Sequence, residues 1–170
     1  DEALEILKTR KKWGKNLRIL KTGDMNRGRS QSHQELRKIR SGLLLQDKDD
    51  ILLDGEPKCV TELEPSEGLK RDLLFAWAVV KHGKSNAIAI AKDGMLLGLG
   101  AGQTSRVDAT EIAIKKSGDR IQGAVVASDA FYPFRDNIDA LEPHGIKAII
   151  QPGGSMRDQE VIDACNEANI

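Results

Sequence analysis

An imidazole, a carboxamide and a guanidinium fall inside one stretch, residues 81–106, which reads KHGKSNAIAIAKDGMLLGLGAGQTSR. An imidazole titrates near neutrality, so His82 is a candidate general acid or base; with Lys81 it equally offers a basic group at the negative end of a preceding helix. Asn86, beside Ser85 and just before an apolar run, suits a fixed hydrogen bond to a ligand, or a turn. Arg106 follows the glycine-rich exit Gly100-Ala101-Gly102-Gln103 and enters the first turn of a helix. A phosphate or carboxylate there is bound by backbone N–H groups and guanidinium together. Farther on, Ser128 and Asp129 end a buried apolar run, with Phe131, Tyr132 and Phe134 directly after. Those are three of the four Phe or Tyr residues in the chain. They make either a flat apolar wall beside Asp129 and Asp136, suited to a planar heterocycle, or a cap on the core.

These groups need elements to position them. Asp93-Gly94 between two apolar runs predicts a β-hairpin, because both central residues of such a turn want positive φ. Closing that hairpin brings the 81–86 cluster and the 100–106 loop to one end. Residues 66–80 predict a helix that buries Leu69, Leu73, Ala76, Trp77 and Val80. Gly98, Gly100 and Gly102 imply close approach of something to the backbone. Ser105-x-x-Asp108 reads as an N-cap opening a helix to about Lys116, with Val107, Ile112 and Ala113 inward. A strand over 123–129, a helix over 135–144 and a strand over 147–151 follow. Pro152-Gly153-Gly154 then leads to a second capping box, Ser155-x-x-Asp158, with Arg157 in the first turn of a last helix. Upstream, Leu4 and Leu7 suggest a short helix, Leu17, Ile19 and Leu20 a strand, residues 23–33 a solvated loop and 41–50 an apolar strand; 57–65 is a connector. The alternation argues for an α/β layered domain whose strands are mostly parallel after the hairpin.

Composition narrows the function classes. The 170 residues are 39% hydrophobic and 31% charged, with 26 basic and 26 acidic side chains. Balanced charge gives no general field for nucleic acid or a membrane surface. Two cysteines without a CxxC spacing argue against a disulfide framework or a thiolate zinc site and suit a reducing cytoplasm. No apolar run approaches the roughly 18 residues of a membrane span. With abrupt ends and no initiator methionine, the chain is expected to be a piece of something longer.

KHGKSNAIAIAKDG, GAGQTSRVDA, ASDAFYPFRDNID and QPGGSMRDQEVIDA, in that order and spacing, resemble the transformylase domain of the bifunctional purine-biosynthesis enzyme family that is also an IMP cyclohydrolase. SGLLLQDKD looks like that family's strand before a linker, so the resemblance covers essentially the whole chain. It implies a cytidine deaminase-like three-layer α/β/α fold with a mixed sheet, one hairpin and then parallel strands. Residues 1–65 would be the tail of a preceding unit with its linker, and 66–170 the second unit. The implied reaction moves a formyl group from 10-formyltetrahydrofolate, a co-substrate, to the 5-amino group of aminoimidazole carboxamide ribonucleotide (AICAR), without a metal.

By the same resemblance Asn86 is the catalytic residue, toward the base or the transferred formyl group. Arg106 faces the nucleotide, Phe131 the heterocycle, and Asp136 and Ser155 the folate. Lys81-His82 looks like the family's catalytic lysine–histidine pair, but that pair belongs to the preceding unit, so the catalytic label is not carried over. The missing transformylase half and a second copy are the implied partners, with no nucleic acid or membrane. The cyclohydrolase domain and a terminal stretch ending in histidine are not among these residues, so the chain is expected to hold part of a site. Two other classes compete: a non-catalytic half-domain that binds a nucleotide or a partner, and a zinc-dependent nucleoside deaminase. The latter needs a His or Cys followed by Glu, plus a PCxxC pair. The chain has Glu111 without an adjacent ligand and Asp129–Pro133 where the cysteines would stand.

Overall fold

The computed structural model describes residues 2–9, 16–21, 23 and 34–170. They fall into two compact units, residues 1–50 and 51–170. In the first, Leu4 and Leu7 lie on helix α1 (Glu2–Thr9), and strands β1 (Gln34–Ile39) and β2 (Gly42–Asp47) form an antiparallel hairpin. The expected strand at Leu17, Ile19 and Leu20 does not form; all three are exposed, and three apolar residues without a pairing partner have nothing to hold them extended. Of the expected solvated loop, only Gly23 lies within the described residues. Strand β2 falls where SGLLLQDKDD predicts one, but its pairing with QELRKI was not anticipated, because β1 carries mostly polar residues.

The second unit contains the core. Its elements are α2 (Glu67–Lys81), β3 (Ile88–Lys92), β4 (Met95–Gly100), α3 (Arg106–Ser117), β5 (Val125–Ser128), α4 (Asp136–Leu141), β6 (Ala148–Ile150) and α5 (Asp158–Glu167). The sheet order is β4-β3-β5-β6. Strand β3 is antiparallel to both neighbours, and only β5 and β6 run parallel, so the sheet is mixed. Asp93 and Gly94 adopt φ of 53° and 69° at the hairpin turn, as the Asp-Gly pair requires. The turn is also clamped from α2: the Asp72 carboxylate accepts from the N–H groups of Asp93 and Gly94, each at 2.8 Å.

Strand alternation sorts the core into two layers. Ala89 and Ala91 of β3 and Val125 and Ala127 of β5 face Leu73, Ala76 and Val80 of α2. Ile88, Ile90 and Val126 point the other way, onto α3, α4 and α5 through Ala109, Ala113, Ile138, Leu141, Val161 and Ala164. A helix on one side and three on the other make a three-layer α/β/α arrangement. Leu69 and Trp77 complete the α2 stripe as partly buried residues, and the Trp77 indole donates to the Leu52 carbonyl at 2.7 Å.

One helix face departs from expectation. The buried stripe of α3 is Ala109, Thr110, Ala113 and Ser117, while Val107 and Ile112 are only half-buried. The cause is β4: a Cβ at Gly98 or Gly100 would collide with the carbonyl oxygens of Ala113 and Ala109. Helix and strand backbones touch, and only small side chains fit between them. Ser105 caps α3 as predicted, accepting from Asp108 N–H at 3.4 Å. Arg157 takes the cap position before α5 rather than its first turn. There Asp158 accepts from the N–H groups of Gly154 and Ser155 at 2.6 and 3.1 Å.

Candidate active site

Strand directions decide where the candidate residues meet. The start of β3, the end of β4 and the ends of β5 and β6 all lie at one edge of the sheet. Asn86, the 100–106 loop, the 129–135 loop and the 151–157 loop therefore emerge side by side. Beyond the last printed rung the hairpin closes further: Asn86 N–H donates to Gln103 O at 3.1 Å and Gln103 N–H to Asn86 O at 3.4 Å.

Arg106 sits at the centre of this edge. Its Nη1 donates to Ser128 Oγ at 2.8 Å and Asp129 Oδ1 at 2.6 Å, and its Nη2 donates to Asn86 Oδ1 at 2.8 Å. The Asn86 amide nitrogen donates to Gln103 O at 3.0 Å, leaving its second N–H for something else. Ser128 directs its hydroxyl proton to Ala130 O at 2.6 Å, so its lone pairs are free to accept from Arg106. The Arg106 and Asp129 side chains are only 10% and 13% exposed. Burial pushes the Asp129 carboxyl up, but hydrogen bonds from Arg106, Ser85 and Ala87 outweigh it and hold the carboxyl below its ordinary value.

The chain's own Asp129 thus supplies a carboxylate that meets Arg106. Sequence reasoning placed Asp129 at the end of a buried strand, beside the aromatic wall, but did not pair it with Arg106. Its signal was a lone carboxylate delivered by an apolar strand beside a helix that opens on arginine.

The other candidates are distributed along the same edge. Phe131, 41% exposed, presents its ring from the loop directly after Asp129, and Phe134 is 46% exposed with the Arg157 guanidinium 4.8 Å from its ring centroid. Tyr132, between them, is fully buried, so the aromatic trio divides into one core residue and two surface rings. Asp136 starts α4, its Oδ1 accepting from Asn137 N and Nδ2 at 2.8 and 2.9 Å. Asn137 Oδ1 in turn accepts from Thr110 of α3 at 2.8 Å. Ser155 accepts from Arg157 N–H at 3.1 Å in the loop after β6. A bond from Tyr132 N–H to Gln151 Oε1 at 2.6 Å ties that loop to the aromatic one. Among the described residues, no hydrogen bond joins Phe131, Asp136 or Ser155 to the Asn86–Arg106 pair.

Lys81 and His82 finish α2. Lys81 Nζ donates to the Ile51 carbonyl, and exposed His82 is the C-cap, its N–H shared between the Val79 and Val80 carbonyls. Both therefore sit where cations complement a helix dipole. Among the described residues, no three His, Cys, Asp or Glu side chains are grouped to hold a metal ion, and no helix is long and apolar enough to cross a membrane.

Comparison with known proteins supplies the context for this geometry. The bifunctional purine biosynthesis proteins PurH of Magnetococcus marinus, Caldicellulosiruptor saccharolyticus and Aquifex aeolicus are 51%, 49% and 50% identical to the chain over 98%, 100% and 100% of its length. The chain spans about a third of each of them: 33%, 32% and 32%. Among solved structures, Acinetobacter baumannii RibD, form 2, aligns over 60% of this chain and 34% of that one, at 20% identity and a TM-score of 0.41, too loose a match to support an argument. Residues 1–116 match the family model described as AICARFT/IMPCHase bienzyme. With a core built to set Asn86 against Arg106 at one sheet edge, and with that match over most of its length, the chain belongs to the AICARFT/IMPCHase bienzyme family.

Proposed function

We propose that the chain supplies part of the site at which a formyl group passes from 10-formyltetrahydrofolate to the 5-amino group of AICAR. The observation that carries this reading is the Asn86–Arg106 contact at the sheet edge, with the Phe131 ring on the adjoining loop. The amine nitrogen attacks the formyl carbon, a tetrahedral oxyanion forms, and the bond from that carbon to the folate nitrogen breaks. The amine's proton ends on the released tetrahydrofolate. The Asn86 N–H left over from Gln103 donates to the developing oxyanion, a role for which a fixed dipole is worth more than a mobile one. Phe131 packs against the heterocycle, Arg106 holds the nucleotide side, and Asp136 and Ser155 face the folate. Positioning a weakly nucleophilic amine against the formyl carbon supplies much of the acceleration. The imidazole that removes the proton comes from elsewhere in the enzyme, with Lys81 and His82 left to end α2.

On this reading residues 1–65 are the tail of a preceding unit with a linker, and 66–170 the second unit of a deaminase-like pair. The linker lies along the second unit: Ile51 and Leu52 accept from Lys81 and Trp77, and Glu62 N–H donates to Asn166 Oδ1 at 2.9 Å. A second reading, a half-domain that binds nucleotide without turnover, is favoured by Lys81 and His82 ending α2 rather than meeting the Asn86–Arg106 pair.

The test is to add AICAR to the 170-residue chain, alone and mixed with the remaining two thirds of a relative. AICAR should raise the melting temperature, and Asn86→Ala and Arg106→Ala should weaken the rise. With 10-formyltetrahydrofolate added as the formyl donor, formyl-AICAR should appear only in the mixture. Binding without product supports the second reading, and no shift at saturating AICAR in either preparation rejects both.

A further inference from the structure

Asp129 takes no part in the steps assigned above, yet it governs the two residues that do. Its Oδ1 accepts from Ala87 N–H at 3.0 Å as well as from Arg106, and its own N–H donates to Ala87 O at 3.1 Å. The carboxylate is therefore clamped to the start of β3 and cannot follow Arg106 if the guanidinium moves. Arg106, pinned by Asp129 and Ser128 through Nη1, passes the constraint on through Nη2 to Asn86 Oδ1. A reversed Asn86 amide would set its NH2 against the guanidinium and its oxygen against the Gln103 carbonyl, losing two hydrogen bonds at once. The direction of the spare Asn86 N–H is thus dictated by Arg106, and that of Arg106 by Asp129. With both charged groups nearly out of solvent, little screening blurs the arrangement.

We infer that Asp129 is a positioning residue for formyl transfer: its carboxylate fixes Arg106 and so aims the Asn86 amide at the substrate. The inference rests on the function proposed above. It differs from a purely structural role in that the orientation of one amide, rather than the fold, depends on the carboxylate.

The experiment uses the 170-residue chain with Asp129→Asn and Asp129→Glu, follows the Asn86 side-chain NH2 signals by 1H–15N NMR, and titrates AICAR. In the unsubstituted chain the two Asn86 protons should give sharp, well-separated signals that move on AICAR addition. Asp129→Asn should collapse or broaden them and weaken AICAR binding about tenfold or more, while backbone signals away from the cluster stay in place. Asp129→Glu keeps the charge but displaces it by one methylene, and should restore part of both. Should Asp129→Asn not fold, Asp129→Glu alone decides, since displaced Asn86 signals are expected there as well. Unchanged Asn86 signals and unchanged AICAR binding in a folded variant overturn the positioning role alone. An unsubstituted chain that fails to respond to AICAR, alone or with the rest of a relative, overturns the proposed function and the purpose of the clamp with it.

Discussion

Arg106 and Asp129 differ from other ion pairs of the chain in exposure. Lys70–Glu67 is 49% and 82% exposed and Arg157–Glu160 57% and 39%, so water screens them; Arg106–Asp129 is 10% and 13% exposed. Removing Arg106 leaves a charge with no counterpart, and Arg106→Ala should cost about 3 kcal/mol in urea unfolding. Lys70→Ala should leave the midpoint where it is. The same pair contributes to stability at the acid end. The native Asp129 carboxyl titrates below its ordinary value of 3.8, so the unfolded state binds more protons in that range. Its contribution is complete above that value and drains away as pH falls through the lower native one. Asp129→Asn should flatten the acid limb of a stability-versus-pH curve; an unchanged limb would show that other carboxylates set it. At the alkaline end the sign reverses. Burial pushes the Cys165 thiol up to about 11 from 9.0, and pushes the Tyr132 phenol far above its ordinary 10.0. Stability is then full below those ordinary values and is lost as pH climbs through the native ones. The Tyr132 hydroxyl is buried without a well-aligned hydrogen bond among the described residues; the Ser128 hydroxyl beside it acts only weakly against burial, so burying the phenol costs on the order of 1–2 kcal/mol. Tyr132→Phe should keep or raise the melting temperature at pH 7 and shrink the alkaline loss, and a lower melting temperature would reveal a bond for that hydroxyl.

At the scale of elements, the α3–β4 contact is the tightest constraint on the site, because α3 carries Arg106 at its first position. Gly98 and Gly100 let the helix backbone rest on the strand, and a methyl group at either would meet a carbonyl oxygen that cannot yield without moving α3. Gly100→Ala should cost about 3 kcal/mol in urea unfolding and should also shift the Arg106 guanidinium signals. A loss well under 1 kcal/mol would mean that the helix can slide. This contact also explains why sequence reading had Ala113 right but set Val107 and Ile112 too far inward. Periodicity weights large apolar residues, so Val107 and Ile112 looked inward, whereas a backbone-to-backbone contact selects for small ones. The alternate glycines did announce a close approach; what approaches was not legible, since nothing local names a partner. Asp72 is a similar case: nothing local in α2 ties it to the hairpin turn, and only the fold brings that turn over its carboxylate.

For the whole molecule, every buried hydrophobic residue among the described ones lies between Leu73 and Ile170, and no described residue before position 51 is buried. Residues 51–170 hold a complete core of their own, so that segment alone should melt cooperatively within about 5 °C of the full chain, as judged by circular dichroism. Loss of a cooperative transition would mean that the first fifty residues supply part of the core. The sequence by itself determined the second unit's strands and helices, their turn and the cap of α3, because those depend on local chemistry: Asp-Gly for the hairpin, Ser105 for α3, and a stripe of period 3.6 for α2. It also determined the family, through motifs whose residue order survives without any geometry. Tertiary structure alone decided that Arg106 answers to Asp129, that Tyr132 leaves the aromatic wall for the core, and that β3 and β5 run antiparallel. Each of these is a contact between residues distant in the chain, and local preference carries no information about which distant partner will arrive.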